Sequence, residues 1–229
     1  MTQSAKHTAL LLFARRPERE GQVKSLIEGN NERLWQVLYQ RTRTTAAATG
    51  LPLVVIDERQ QRGATFGERL KYAFHDTFQQ GYQRVILIGS DVPDLRSDHL
   101  IRAAEKLDHT DWVLGPDLRG GAYLIGCTEE AFSRNQTLDR LPWQSDRILQ
   151  HFTDLLLRHE EQIGWLTSLA DLNNAADLQR WLAIHRQLPW VQIILQLLSA
   201  RFLSTASHRI IRSISIQSTH FLRGPPRVA

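Results

Sequence analysis

Two apolar runs stand out along the chain: Thr8–Ala14 (TALLLFA) and Val85–Ile88 (VILI). Short continuous apolar runs bounded by polar residues are the pattern of strands buried on both faces. Between them, Leu34, Trp35, Leu38 and Tyr39 recur at helical spacing within residues 31–48, and Gly50 and Pro52 stop that helix. Leu53–Ile56 reads as a short strand. A loop punctuated by Gln61, Gly63 and Gly67 follows, and then a helix carrying Leu70, Ala73, Phe74 and Phe78 runs to Gly81. After the VILI strand the pattern predicts a helix over 97–107, the strand WVLGP, the turn DLRGG and the strand AYLIG. Strands separated by helical stretches of ~15 residues give repeated βαβ units. The expected fold class is therefore α/β, a mostly parallel sheet flanked by helices.

Past residue 128 the pattern thins. Residues 141–159 read as a turn and a helix, 163–169 (IGWLTSL) as a strand, and 171–186 as a polar turn capping a further helix. Asn173 or Asn174 suits the N-cap there, with Asp177 in the first turn. From Gln187 the character changes. Residues 188–203 are apolar enough to form a helix packed on the domain or on a second subunit, which makes a homodimer through this segment one expectation. Residues 204–229 have no firm period and are expected to be loosely ordered. The organisation expected is one domain over 1–186 and a C-terminal appendage over 187–229.

Composition narrows the function classes. The 229 residues are 42% hydrophobic and 23% charged, as in an ordinary globular protein, with a formal net charge of +4. Only four of the 28 basic residues are lysine, and arginine favours bidentate contact with phosphate or carboxylate. No basic stripe interleaved with aromatics occurs, so nucleotide phosphate is the expected partner rather than nucleic acid. The single cysteine, Cys127, excludes an internal disulfide and reads as a buried thiol. No apolar run approaches the ~20 residues of a membrane span, and no signal-peptide pattern opens the chain, so the cytoplasm is the expected compartment.

The candidate chemistry centres on residues 84–96 (RVILIGSDVPDLR). A buried strand ending in a carboxylate places Asp91 where open α/β sheets bind ligands, and Pro93 rigidifies the turn. A fixed carboxylate there suits a hard divalent cation that bridges to phosphate; the alternative is an Asp that only caps the helix starting near Ser97. The polar segment after the first strand (15–24) is a phosphate-binding position in such folds, with Arg15 and Lys24 flanking it. Arg16, Glu18, Arg19 and Glu20 read as solvated, and His99 and His151 as helix-surface residues.

Six blocks then carry a resemblance in order: FARRP…GQVKS (13–25), QRGATFGERL (61–70), VILIGSDVPDL (85–95), VLGPDLRGGAYLIG (113–126), LPWQSDRIL (141–149) and LADLNNAADLQRWL (169–182). The chain resembles the DUF2064 family, the glycosyltransferase-like proteins also called radical SAM/selenodomain-associated transferase 1 or arsenosugar-biosynthesis glycosyltransferases, within the GT-A nucleotide-diphospho-sugar transferase superfamily. The resemblance spans roughly residues 8–186. It implies a nucleotide-diphospho-sugar donor, a small-molecule acceptor, Mg²⁺ or Mn²⁺ as cofactor, and glycosyl transfer. Carried over by position, Asp91 is similar to the family's metal-binding aspartate. Arg15 and Lys24 are similar to its phosphate contacts, and Gln61 with Gly63 and Gly67 to its base-recognition segment. Gly120 and Gly121 are similar to the glycines lining the sugar side, and Asp171 with Asn173 to the late acidic turn completing the metal site. Asp94, Asp117 and Asp146 are in reach as general bases. Asp94 is paired here with Asp91 as a catalytic candidate, and Asp146 is placed on the acceptor side.

The departures are specific. The family's G-K-V-K-T-R-L is GQVKSL here, so Gln22, Ser25 and Leu26 replace a lysine, a threonine and an arginine. Its D-G-G is R-G-G, with Arg119 either on a donor phosphate, on an acidic acceptor or in solvent. Its D-x-D-T-P is D-L-N-N-A, with Asn173 for the second aspartate. Two rival readings follow: nucleotidyl transfer on the same fold, or a non-catalytic nucleotide-sugar-binding protein whose functional surface is 188–203.

Overall fold

The computed structural model describes residues 7–135, 138–143 and 145–198. The expected loose tail over 204–229, and residues 199–203 of the apolar segment, lie outside them. In chain order the elements are β1 (Thr8–Phe13), α1 (Pro17–Val23), α2 (Asn31–Ala47), β2 (Leu53–Ile56), α3 (Phe66–Phe78), β3 (Arg84–Ile88) and α4 (Ser97–Lys106). They continue with β4 (Trp112–Pro116), β5 (Ala122–Thr128), α5 (Glu129–Arg134), a 3₁₀ turn (Leu138–Arg140), α6 (Ile148–Arg158), β6 (Ile163–Trp165) and α7 (Ala175–His185).

The six strands form one sheet in the order β2-β1-β3-β5-β4-β6. All pairings are parallel except those of β5, which runs against both β3 and β4. The expected mostly parallel α/β sheet is therefore the fold, with one reversed strand. The reversal follows from chain length: β4 and β5 are joined by a five-residue connection, too short for the crossover that a parallel neighbour needs.

Side chains alternate across this sheet at period two, and each face has its own helical layer. Leu11, Phe13, Val85, Leu87, Leu114 and Ile125 face α3, α5 and α6, where Phe74, Phe132 and Phe152 meet them. Leu10, Leu12, Ile86, Ile88, Val113 and Leu124 face α2 and α4. This two-sided burial is why β1 and β3 read as unbroken apolar runs. Each such Leu or Ile contributes roughly 1.5–3 kcal/mol by leaving water. Cys127 is fully buried on β5, and burial pushes its thiol pKa well up.

A third cluster joins α2 and α7 to the end of the described chain, with Leu34, Trp35, Leu38, Leu178 and Trp181 packing on Val191 and Ile194. Residues 191–198 are helical, and of the two packings expected for the apolar segment, this part of it lies on the domain itself. No helix among the described residues is long and apolar enough to cross a membrane.

Candidate functional site

The chain leaves β1 toward β2 on one side, and β3 lies on the other. Beyond the C-terminal ends of β1 and β3 the sheet therefore has its topological switch point, where open α/β sheets form a ligand crevice. The polar segment after β1 forms α1 rather than the expected loop. Pro17 at its first position presets φ, and Glu18 and Glu20 in the first turn favour its N-terminal dipole. Glu20, expected in solvent, is only 7% exposed. It accepts a hydrogen bond from Arg15 Nη1 at 2.9 Å and lies 3.8 Å from Lys24 Nζ, so the helix period turns its carboxylate onto the residues that flank it. Arg16 also departs from the solvated reading: its backbone N–H and Nε both bond Glu58 beyond β2.

Lys24 is held by α2. The buried Asn31 amide donates to the carbonyls of Gly21 (2.6 Å) and Lys24 (2.8 Å), while its Oδ1 accepts from the N–H groups of Leu26 and Ile27. Trp35 Nε1 adds a fifth bond, to Lys24 O at 3.0 Å. The one glycine of this segment, Gly21, packs its Cα on Glu32, where a Cβ would lie 3.2 Å from the Glu32 Cα. Its smallness serves helix packing rather than a phosphate cradle.

From the other strand, β3 ends at Ile88 and the chain turns through Gly89 into Asp91. Lys24 Nζ donates to Asp91 Oδ2 at 2.7 Å, closing the crevice between the ends of β1 and β3. Leu172 N–H donates to the Asp91 carbonyl at 2.8 Å and draws the 171–174 turn onto the same place. Burial and the neighbouring Asp91 charge raise the Asp171 pKa, although Asn173 Nδ2 donates to Asp171 Oδ2 at 2.6 Å. Burial opposes the charge on Lys24, but Asp91, by charge and hydrogen bond, with Glu20 and Asp171 outweighs it and leaves its pKa raised. The three residues expected to hold a cation, Asp91, Asp171 and Asn173, are thus brought together with Lys24. Among the described residues no group of three or more His, Cys, Asp or Glu side chains is arranged to hold a metal ion. The oxygen donors of two carboxylates and an amide nevertheless suit a hard divalent cation. The ammonium group drawn onto Asp91 marks where positive charge is favoured.

The β4–β5 turn forms the next wall. Asp117 Oδ1 accepts from the N–H groups of Arg119 and Gly121 at 2.6 and 2.8 Å, so this candidate base is tied into its own turn. The glycine pair has a local reason too. Gly120 has φ +90°, and a Cβ there would sit 1.9 Å from the Asp146 carbonyl; a Cβ on Gly121 would sit 2.2 Å from Asp117. Asp146 meets this turn through that carbonyl, and the residue is exposed.

Other sequence-derived candidates are placed differently. The Asp94 carboxylate accepts from Trp181 Nε1 at 2.9 Å and lies 3.2 Å from His185 Nε2, which commits it to anchoring α7. His99, expected on a helix surface, is buried at the start of α4, and its Nδ1 accepts the Arg96 N–H at 3.3 Å. Gln61 follows β2, with Nε2 3.5 Å from the Ile56 carbonyl. Gly63 has φ +118° in the exposed turn before the Thr65–Glu68 capping box of α3. Gly67 is buried, with a Cβ position 2.7 Å from Asp139 O and 2.8 Å from Trp143, so it supports that loop from behind.

The residues that sequence reading missed are Glu20, Asn31 and the linking role of Asp177. Glu20 carried a signal, its i,i+4 spacing from Lys24; Asn31 carried none, because its partners are carbonyls and N–H groups of a loop. Asp177 was placed in the first turn of its helix, and Asn174 is the N-cap that pairs with it in a capping box. Its carboxylate also accepts from Asn173 N–H at 2.9 Å, from Arg180 Nη2 at 2.5 Å and from Arg119.

Comparison with known proteins bears on this site. The family described as "Uncharacterized protein conserved in bacteria (DUF2064)" matches residues 29–145, just over half of the chain. Among curated proteins, none matches. Among solved structures, the chain is similar to a Desulfovibrio desulfuricans G20 protein provisionally named a nucleotide-diphospho-sugar transferase. The identity is 24% over 81% of this chain and 90% of that one, with a TM-score of 0.73. It is also similar to a cytidylyltransferase from Leptospira borgpetersenii, at 11% identity over 85% and 95% of the two chains and a TM-score of 0.51. A third is 4-diphosphocytidyl-2C-methyl-D-erythritol synthase from Anaerococcus prevotii, at 8% identity over 80% and 100% and a TM-score of 0.51. At these identities the likeness is one of fold.

Proposed function

The chain belongs to the DUF2064 family, and on that premise we propose that it is a glycosyltransferase taking a nucleotide-diphospho-sugar donor at the Lys24–Asp91 crevice. The observation that carries this reading is the meeting of Lys24, Asp91 and Asp171 at the switch point of a nucleotide-sugar-transferase fold. Lys24 and Arg15 supply positive charge for the donor's diphosphate, and Glu20 and Asn31 hold them in place. Positive charge pre-positioned where the leaving diphosphate gains negative charge lowers the barrier to sugar transfer. Gln61 and the Gly63 turn lie at the end of β2 to meet the base, and the Gly120–Gly121 turn borders the sugar.

Asp91 and Asp171, with the Asn173 amide, would hold Mg²⁺ or Mn²⁺. When bound, the ion supplies further neutralisation of the diphosphate. Asp171 is then the group whose unfavourable ionisation the ion relieves. The acceptor enters from the side of the β4–β5 turn, where its proton goes to Asp117, whose Oδ2 makes none of the turn's N–H bonds, or to the exposed Asp146.

The packing role of Gly21 weighs against nucleotidyl transfer, which relies on a loop of free backbone N–H groups around a triphosphate. Incubation with a panel of sugar nucleotides and Mn²⁺ tests the choice directly. Release of nucleoside diphosphate, lost by about 10²–10³-fold in Asp91→Asn, is expected. Pyrophosphate release from nucleoside triphosphate plus sugar phosphate would establish the rival. No turnover with any donor, and no effect of Mn²⁺ on UDP or GDP affinity, would leave a binding protein.

A further inference from the structure

One carboxylate, Asp177, holds two guanidinium groups beside the crevice. Its side chain is only 4% exposed, and Arg119 and Arg180 both donate to its Oδ1, while Oδ2 accepts the backbone N–H groups of Asn173 and Asn174. Those N–H bonds and the N-terminus of α7 already favour the Asp177 anion. Burial opposes its charge, yet the Asn173 bond and the two arginines leave its pKa lowered. A single guanidinium would neutralise it. The second is one more than that carboxylate needs, although Asp117 in the same turn as Arg119 and Asp171 beyond Asn173 add negative charge nearby.

Both guanidinium groups reach solvent. The Arg119 and Arg180 side chains are 43% and 70% exposed, although one end of each is fixed on a buried atom. Each guanidinium spends one Nη2 on the shared Oδ1, and a guanidinium carries further N–H donors with which to meet another oxyanion. Their mounting ties them to the crevice. Arg119 sits in the β4–β5 turn with Asp117, and Asp177 bonds Asn173, which bonds Asp171 beside Asp91. The 171–174 turn thus stands between the two arginines and the Lys24–Asp91 pair in this chain of contacts.

We propose that Arg119 and Arg180, braced on Asp177, form an anion subsite that receives a carboxylate or phosphate of the acceptor. This deepens the glycosyl-transfer reading and rests on it for the word acceptor; the anion subsite itself does not. Pre-fixed guanidiniums lose little rotamer freedom on binding and meet such oxyanions bidentately.

The test uses the full chain and inorganic phosphate as probe, by calorimetry, with chloride at matched ionic strength as reference. Titrations run with and without saturating UDP, GDP or CDP plus Mg²⁺. The expected result is phosphate binding that persists with nucleotide bound. It weakens at least about tenfold in Arg119→Gln and in Arg180→Gln, while the same charge change in Arg158→Gln on α6 leaves it unaltered. Phosphate and nucleotide excluding each other, with Arg119→Gln weakening both, would assign the pair to the donor diphosphate and overturn the proposal. Equal weakening by Arg119→Gln and Arg158→Gln, or no response beyond chloride, would also overturn it. Absence of any nucleotide binding alongside Arg119-dependent phosphate binding would remove the donor reading and keep the anion subsite.

Discussion

Lys24 and Asp91, 67 residues apart in the chain, meet at 2.7 Å across the ends of β1 and β3. The pair begins a connected line of charge. On one side stand Glu20 and Arg15; on the other, Asp171, Asn173 and Asp177 lead to the two arginines.

Lys24→Gln removes the counter-charge of two partly buried carboxylates. A loss of about 1–3 kcal/mol is expected, read as a drop in Tm, together with weaker nucleotide binding. Because the folded pKa of Lys24 lies above its ordinary 10.5, its contribution is fully present below that value and is lost as pH rises through the folded one. The Tm difference between wild type and variant should therefore hold through neutral pH and close only in the strongly alkaline range. A gap already closed at neutral pH would show that the ion pair does not stabilise the fold.

Asp171→Asn should act in the opposite sense on stability. A carboxyl whose folded pKa is raised stabilises most when protonated, so its penalty grows as pH rises past the ordinary 3.8. The variant is expected to be more stable than wild type at neutral pH, by up to about 1 kcal/mol, with the gain vanishing in acid. The same variant should lose the Mn²⁺ enhancement of nucleotide affinity. Equal stability of the two proteins at neutral pH would deny the crowding of Asp91 and Asp171.

Asn31→Ala strips four hydrogen bonds from the segment that carries Lys24. The cost should be about 2–3 kcal/mol, measured by urea unfolding. Asn31 touches the loop and not the crevice, so KM for the donor should rise more than kcat falls. A variant with intact donor KM would separate the Asn31 clamp from Lys24 positioning.

Asp94→Asn separates anchoring from chemistry. Its partners are Trp181 and His185 on α7, so about 1–2 kcal/mol of stability should be lost while kcat is retained. A turnover defect as deep as that of Asp91→Asn, with unchanged Tm, would restore Asp94 to the catalytic group.

The strands were legible because β1 and β3 are buried on both faces, and continuous apolar runs of that length have few other fates. Asp91 was legible for the same reason, as the first carboxylate after such a strand. The α1 helix was less so: PEREGQV has little apolar periodicity, and its order comes from Pro17, from Glu20 turned onto Arg15 and Lys24, and from Asn31 on the next helix. The glycines at 67, 120 and 121 looked like ligand-facing positions, yet each stands against a neighbouring atom, Asp139 O, Asp146 O or Asp117 Oδ2, that only folding brings there.

The amino-acid order alone thus determined the α/β class, the edge of the sheet that carries Asp91, and the family blocks that point to a nucleotide-sugar partner. The first two rest on local periodicity and turn chemistry, which act between near neighbours; the nucleotide-sugar partner is what the family resemblance implies. Which charges share a site was decided only by the tertiary structure. Asp94 and Asp91 lie three residues apart and face different partners, whereas Lys24, Asp91 and Asp171 converge from distant segments. Electrostatic partnership depends on separation in space and on burial, and neither is written in the spacing of residues along the chain.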